Sequence, residues 1–215
     1  MEEKVKEVEK NEELSELEKE LVSLATEREF VVSGEFNDKM ADEFCEFIDK
    51  ILAFDEVYKE LYKDEELLDV VLTIQSPGGS CSSLNTMLDA MEDLNCRIIG
   101  KVRGDCFSCA FFLLCNCDVR LANSHSRMMY HSLLYNMNGS LSDHSEQYQE
   151  SMKLMKLYDD AIVKNTRISQ KQLDKVKKSK TDWFMGKDEA LELGVLTHNC
   201  RLSDFYKMED EQGAE

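Results

Sequence analysis

The chain has 215 residues, with 44 Asp and Glu against 26 Lys and Arg and a formal net charge of -18. That length suits one domain burying about two-thirds of the surface its unfolded form exposes, and the acidic balance argues against nucleic acid or an anionic membrane as partner. No apolar run approaches the ~18 residues of a membrane span, and the opening "MEEKVKEVEKNEELSELEKEL" is too acidic and polar for a signal peptide, so the expected location is cytoplasmic. In a reducing compartment the eight cysteines are expected to be free thiols.

Residues 1–27 read as a charged helical extension. Leu14, Leu17, Leu21 and Leu24 form one thin stripe, too short for a coiled coil. A body from residue 28 to residue 203 follows. Phe30 to Ser33 predicts a strand, and Met40, Phe44, Phe47, Ile48 and Ile51 then recur at helical spacing. "LLDVVLTIQ", Leu67 to Gln75, is an almost unbroken apolar run, as a strand buried on both faces requires. After the turn "QSPGGS", Leu84, Met87, Leu88, Met91 and Leu94 predict a helix, and "CRIIGKV" the next strand. Alternating strands and helices imply a parallel sheet with right-handed crossovers, an α/β fold.

"VRLA" and "RMMYHSLL" predict two short strands. A long helix starts near Ser142, with its hydroxyl as N-cap, and runs to about Asn165 with Leu154, Leu157, Tyr158, Ala161 and Ile162 along one face. "GKDEALELGVL" predicts a short helix ended by Gly194, and residues 204–215 an acidic tail without packing of its own.

Three places carry chemistry. In "QSPGGS", Gln75 to Ser80, the only proline precedes two glycines at the end of a buried strand. Glycines there let backbone N–H groups approach a ligand, or else form a tight strand-to-helix turn. Ser108 follows a strand and opens the apolar run "CAFFLL", as a nucleophile or as an N-cap. His131 sits in "RMMYHSLL", as a general base or as a satisfied core residue. Around Ser108, "GDCFSCAFFLLCNC" puts four cysteines in fourteen residues, with Cys106 and Cys109 at the two-residue gap of zinc and redox pairs and Cys115 and Cys117 close behind. No histidine flanks either pair at ligand spacing. A helix opening at Ser108 buries Cys109 as a small apolar residue, so neither metal nor cofactor is expected.

In this order and at these separations the segments resemble the proteolytic subunit of the Clp protease family, serine peptidases of the ClpP/crotonase superfold. The resemblance covers residues 28–200 or so. "FVVSGEFND" is similar to that family's first strand and turn, "TIQSPGGS" to its oxyanion-hole strand, and "GDCFSCAFFLL" to its glycine-led nucleophile turn. "NSHSRMMYH" is similar to the strand ending in its histidine, and "WFMGKDEALELGVL" to its closing segment. The resemblance implies repeated β-β-α units with a mostly parallel sheet and a long protruding helix. It assigns Ser108 as nucleophile and His131 as base, with Gly79, Gly78 nearby, and the Cys109 N–H around the oxyanion.

One position departs from the pattern: the family's aspartate falls on Lys178, which cannot accept a histidine N–H. Asp182 and Asp174, four residues to either side, remain candidates. Asp182 is preferred because it precedes the strand Trp183-Phe184-Met185, whereas Asp174 belongs to the polar helix "SQKQLDKVKK". The implied activity is peptide-bond hydrolysis through an acyl-enzyme, on peptides or unfolded proteins. Homo-oligomeric rings joined by the long helix are implied too, commonly with an AAA+ unfoldase as partner. Three alternatives stay open: a catalytically silent ring subunit, favoured by Lys178; a phage-type capsid-maturation protease; and an acyl-CoA enzyme of the crotonase group, which needs no serine-histidine pair.

Overall fold

An apolar run without alternation has to find cover on both sides. In the computed structural model, which describes residues 27–63, 65–134 and 139–212, that run becomes strand β2 (Val70–Gly79). Val70, Leu72 and Ile74 face the main core, while Val71 joins Ile99, Val119, Leu121 and Phe205 in a second cluster. β2 lies between β1 (Glu29–Phe36) and β3 (Ile98–Phe107), parallel to both. β3 then serves two parallel neighbours in succession, β4 (Val119–Ala122) along Ile99–Val102 and β5 (Arg127–Tyr130) along Asp105–Phe107. β6 (Trp183–Met185) adds an antiparallel edge to β5. The mostly parallel α/β sheet expected from the sequence is therefore present. The extension at residues 1–26 lies outside the described residues.

Helix α1 (Asp38–Leu61) starts where the Asn37 side chain accepts the Met40 N–H at 3.0 Å, and it buries Met40, Phe44, Ile48 and Ile51. α2 (Cys81–Glu92) is capped by the Ser80 hydroxyl and buries Leu84, Met87 and Met91. α3 (Cys109–Cys115) is buried at every residue, so its axis is held by packing on all sides. α4 (Leu141–Asn165) buries Met155, Tyr158, Asp159 and Ile162 in its second half, while Leu141 and Tyr148 in the first half are 86% and 52% exposed. Its cap is Ser140 rather than Ser142. The Ser140 hydroxyl accepts the Asp143 N–H at 3.3 Å and the Asp143 carboxylate accepts the Ser140 N–H at 2.7 Å, a reciprocal capping box that Ser142 has no acidic partner to build. α5 (Gln170–Ser179) and α6 (Lys187–Glu192) flank β6, and Gly194 follows α6 at φ 68°. No helix among the described residues is long and apolar enough to cross a membrane.

Residues 204–212, expected to be part of an unpacked tail, are helical and packed. They form most of α7 (Leu202–Gln212). Phe205 on this helix is 4% exposed against the outer face of β2, β3 and β4. Arg97 holds the same helix, bridging Asp69 at 2.7 Å and Glu209 at 2.5 Å with its guanidinium 5.3 Å from the Phe205 ring centroid. An acidic composition hid a helix whose anchoring needs only one aromatic and one carboxylate. Phe205→Ala is expected to lower the unfolding free energy by about 3 kcal/mol, and Met208→Ala, at a 45% exposed position, by less than ~0.5 kcal/mol. Denaturant titration of both variants checks this, and equal effects would mean that α7 does not dock through Phe205.

Candidate active site

One residue, Ser108, separates β3 from α3. Its backbone sits at φ 56° and ψ -121°, a region costing a non-glycine residue about 1–3 kcal/mol. The turn is secured through the main chain: the Ser108 N–H donates to the Met129 carbonyl at 2.9 Å, and its carbonyl accepts from Phe111 and Phe112 at 2.9 and 3.2 Å. The hydroxyl makes no capping bond and the residue is partly exposed. Ser108 therefore does not act as an N-cap. It stands on a sharp strand-to-helix turn of the kind that presents a nucleophile.

Opposite it, the end of β2 is reshaped by bulges. The register with β1 slips between Ser33 and Glu35, and that with β3 slips between Ile74 and Ser76. Such slips re-aim a strand locally. They bring Gly78, at φ 98°, so close to the turn that a Cβ there would lie 2.6 Å from Ser108 Cβ and 2.9 Å from the Phe107 carbonyl. Gly79, at φ 150°, is as tight against Phe36, where a Cβ would lie 2.5 Å from the carbonyl oxygen. The Gly78 N–H donates to Ser76 Oγ at 3.0 Å, and that hydroxyl donates to the Gly34 carbonyl at 2.6 Å. Gly78 thus acts here as a gap for Ser108, with its N–H committed elsewhere. Gly79 is exposed at the site. Cys109, as the first residue of α3, is among those whose N–H has no acceptor within the helix.

Strand β5 stops at Tyr130, so His131 lies one residue past the strand and is partly exposed rather than embedded in the core. The β5–β6 pairs Met128–Met185, Met129–Phe184 and Tyr130–Trp183 run antiparallel, so His131 follows the last paired residue of β5 and Asp182 precedes the first of β6. Since Ser108 bonds the backbone of Met129, the sheet brings Ser108, His131 and Asp182 to one end. Among the described residues no hydrogen bond joins the three side chains. Asp174 points its carboxylate to neighbours on its own helix, accepting from Gln170 Nε2 and Lys177 Nζ, each at 3.0 Å. Lys178 is exposed on the same helix.

A residue that sequence reasoning passed over bonds Tyr130, the residue before the histidine. Asp159 is 1% exposed and accepts from Tyr130 Oη at 2.8 Å, Gln170 Nε2 at 3.1 Å and Lys177 Nζ at 2.5 Å. Burial, then this carboxylate, pushes the Tyr130 phenol up. The available signal was a charge interrupting the buried stripe Met155, Tyr158, Ile162. The cysteines also differ from their spacing in sequence. Cys106, Cys115 and Cys117 are fully buried and burial pushes their thiols up, that of Cys115 to about 12. The sulfur that meets Cys109 belongs to Cys81, at 3.9 Å, and not to Cys106. Among the described residues no group of three or more His, Cys, Asp or Glu is set to hold a metal ion.

Gly78→Ala places a methyl group against Ser108 and should lower the thermal midpoint by at least about 3 °C, a loss on the order of 1 kcal/mol or more. Gly34→Ala, at φ 85° with nothing within 4 Å, carries the backbone strain without the collision and should cost less. Scanning calorimetry of both variants checks this, and equal losses would remove the Gly78–Ser108 contact from the account. A match to the Clp protease family runs from residue 11 to residue 199, taking in every strand among the described residues, helices α1 to α6 and the candidate site positions: the chain belongs to that family.

Proposed function

We propose that the chain, a peptidase by family, is a serine endopeptidase working through an acyl-enzyme, with Ser108 as nucleophile, His131 as general base and Asp182 as the group that orients His131. The observation that carries this reading is the backbone of Ser108, held at φ 56° with no capping bond from its hydroxyl and a glycine gap beside it. Strain at a non-glycine residue persists only where its surroundings impose it, and such residues cluster at active sites. The antiparallel register through Tyr130–Trp183 supports Asp182 over Asp174, whose carboxylate is engaged on α5.

In this reading Ser108 Oγ attacks the scissile carbonyl as His131 takes its proton. The tetrahedral oxyanion accepts from the N–H groups of Gly79 and Cys109, a class of interaction worth about 3–4 kcal/mol per donor. His131 then passes the proton to the leaving amine, and a water activated by the same imidazole releases the acid. The side chains meet fully only with substrate bound, since catalytic hydrogen bonds in free enzymes are often long. Homo-oligomeric rings fit the exposed apolar residues Leu141, Tyr148, Met152 and Leu157 on α4.

A second reading, a silent ring subunit, is favoured by Lys178 at the family aspartate's position and by the open geometry of the three side chains. A fluorophosphonate probe separates the two without knowledge of the substrate. Labelling is expected at Ser108 alone, and Ser108→Ala should abolish it and lower peptidase activity by roughly four to six orders of magnitude. Asp182→Asn should cost up to about 10⁴ in turnover with folding preserved, because the amide favours the wrong imidazole tautomer, while Asp174→Asn should be nearly silent. A folded, assembled protein that takes no label would make the silent subunit the better reading.

A further inference from the structure

Two of the eight cysteines meet beside the serine turn although 28 positions separate them. Cys81 is the first residue of α2, two residues after Gly79, and Cys109 is the first residue of α3, directly after Ser108. Their sulfurs lie 3.9 Å apart, and Cys109 Sγ also donates to the Gly79 carbonyl at 3.3 Å. The two differ in access: Cys81 is partly exposed and Cys109 is buried. We propose that Cys81 and Cys109 are a peroxide-sensitive pair, which oxidises to a disulfide and thereby shuts the Ser108 site reversibly. The pairing rests on geometry alone; its effect on Ser108 rests on the serine-peptidase reading.

The roles within the pair follow from exposure and charge. Cys81 lies at the start of a twelve-residue helix, where the dipole favours a thiolate. Its contact with the Cys109 sulfur draws the Cys81 thiol down to about 7, and the other seven cysteines are all pushed up. Cys81 is thus the reacting sulfur and Cys109 the resolving one. The Cys81 thiolate attacks one oxygen of hydrogen peroxide, the O–O bond breaks, and the departing hydroxide is protonated to water, leaving a sulfenic acid. The Cys109 sulfur then attacks the Cys81 sulfur, the S–O bond breaks, and water leaves with the thiol proton. Two thiols and one peroxide give one disulfide and two waters.

Closing the pair to a bond of about 2.05 Å takes Cys109 Sγ off the Gly79 carbonyl and draws the first turns of α2 and α3 together. The segments that move carry the N–H groups of Gly79 and Cys109, so the oxyanion donors lose their alignment while Ser108 itself is unmodified. Loss of one such donor costs about 10²–10³ in serine hydrolases.

The test uses the full chain, reduced, then exposed to hydrogen peroxide and blocked with N-ethylmaleimide. The expected product is about 2 Da lighter before blocking, takes up two fewer maleimides, and yields on proteolysis a peptide joining Cys81 to Cys109. Fluorophosphonate labelling of Ser108 should slow at least about tenfold on oxidation and return with dithiothreitol. Cys81→Ser should label at the same rate with or without peroxide. A Cys81 oxidised only to sulfinic acid, or left untouched while other cysteines react, would overturn the pair, and a cross-link that leaves Ser108 labelling unchanged would overturn the switch. If the reduced protein takes no fluorophosphonate, the serine reading falls while the mass and peptide map still decide the disulfide.

Discussion

The positive φ of Ser108 is an unfavourable state of about 1–3 kcal/mol that the rest of the chain has to maintain. On one side stands α3, buried at all seven residues and unable to shift without opening the core. On another, the Met129 carbonyl takes the Ser108 N–H, so β5 and the serine turn cannot move independently. The third support is an absence: Gly78 has no Cβ, and the bulged end of β2 comes within reach of Ser108 only for that reason. Removing any of these would let the residue relax toward an ordinary helix start, where its hydroxyl would cap the helix.

Buried charge fixes the elements that surround this turn. Asp159 joins α4 to Tyr130 at the end of β5 and to Gln170 and Lys177 on α5, so the residue before the histidine and the helix before Asp182 share one anchor. Arg28 and Asp55 pair at 2.7 Å with little exposure, and Arg120 gives its guanidinium to the carbonyls of Cys117, Asn165, Gly194 and Val195. Such groups are weak sources of net stability, because desolvation offsets most of the attraction. They do restrict geometry, since a buried charge tolerates few alternative arrangements of its partners.

The cysteines illustrate how proximity in sequence and in space part company. Cys106 and Cys109 have the gap of a metal or redox pair, yet Cys106 lies on a strand and Cys109 on the following helix, with the strained serine between them. The contact that exists is across two helix starts, Cys81 to Cys109, which a crossover of α2 and β3 brings together. Spacing along the chain carries information about a pair only when one element holds both residues.

What the sequence determined by itself is whatever depends on local pattern. The unbroken apolar run of β2, the helical repeats of α1 and α2, the glycine pair and the serine opening an apolar run were all legible because period and backbone freedom are properties of a few neighbouring residues. Ser108, His131, Gly79 and Cys109 could be named on those grounds together with the family's motif order. Only the tertiary structure decided the rest. It directed the Gly78 N–H to Ser76, held Asp174 on its own helix, set His131 beyond the end of β5, docked α7 through Phe205, and turned Asp159 into a buried anchor. Each of these depends on which groups meet across elements far apart in the chain. A charged residue reads the same in sequence whether water or a buried phenol will receive it.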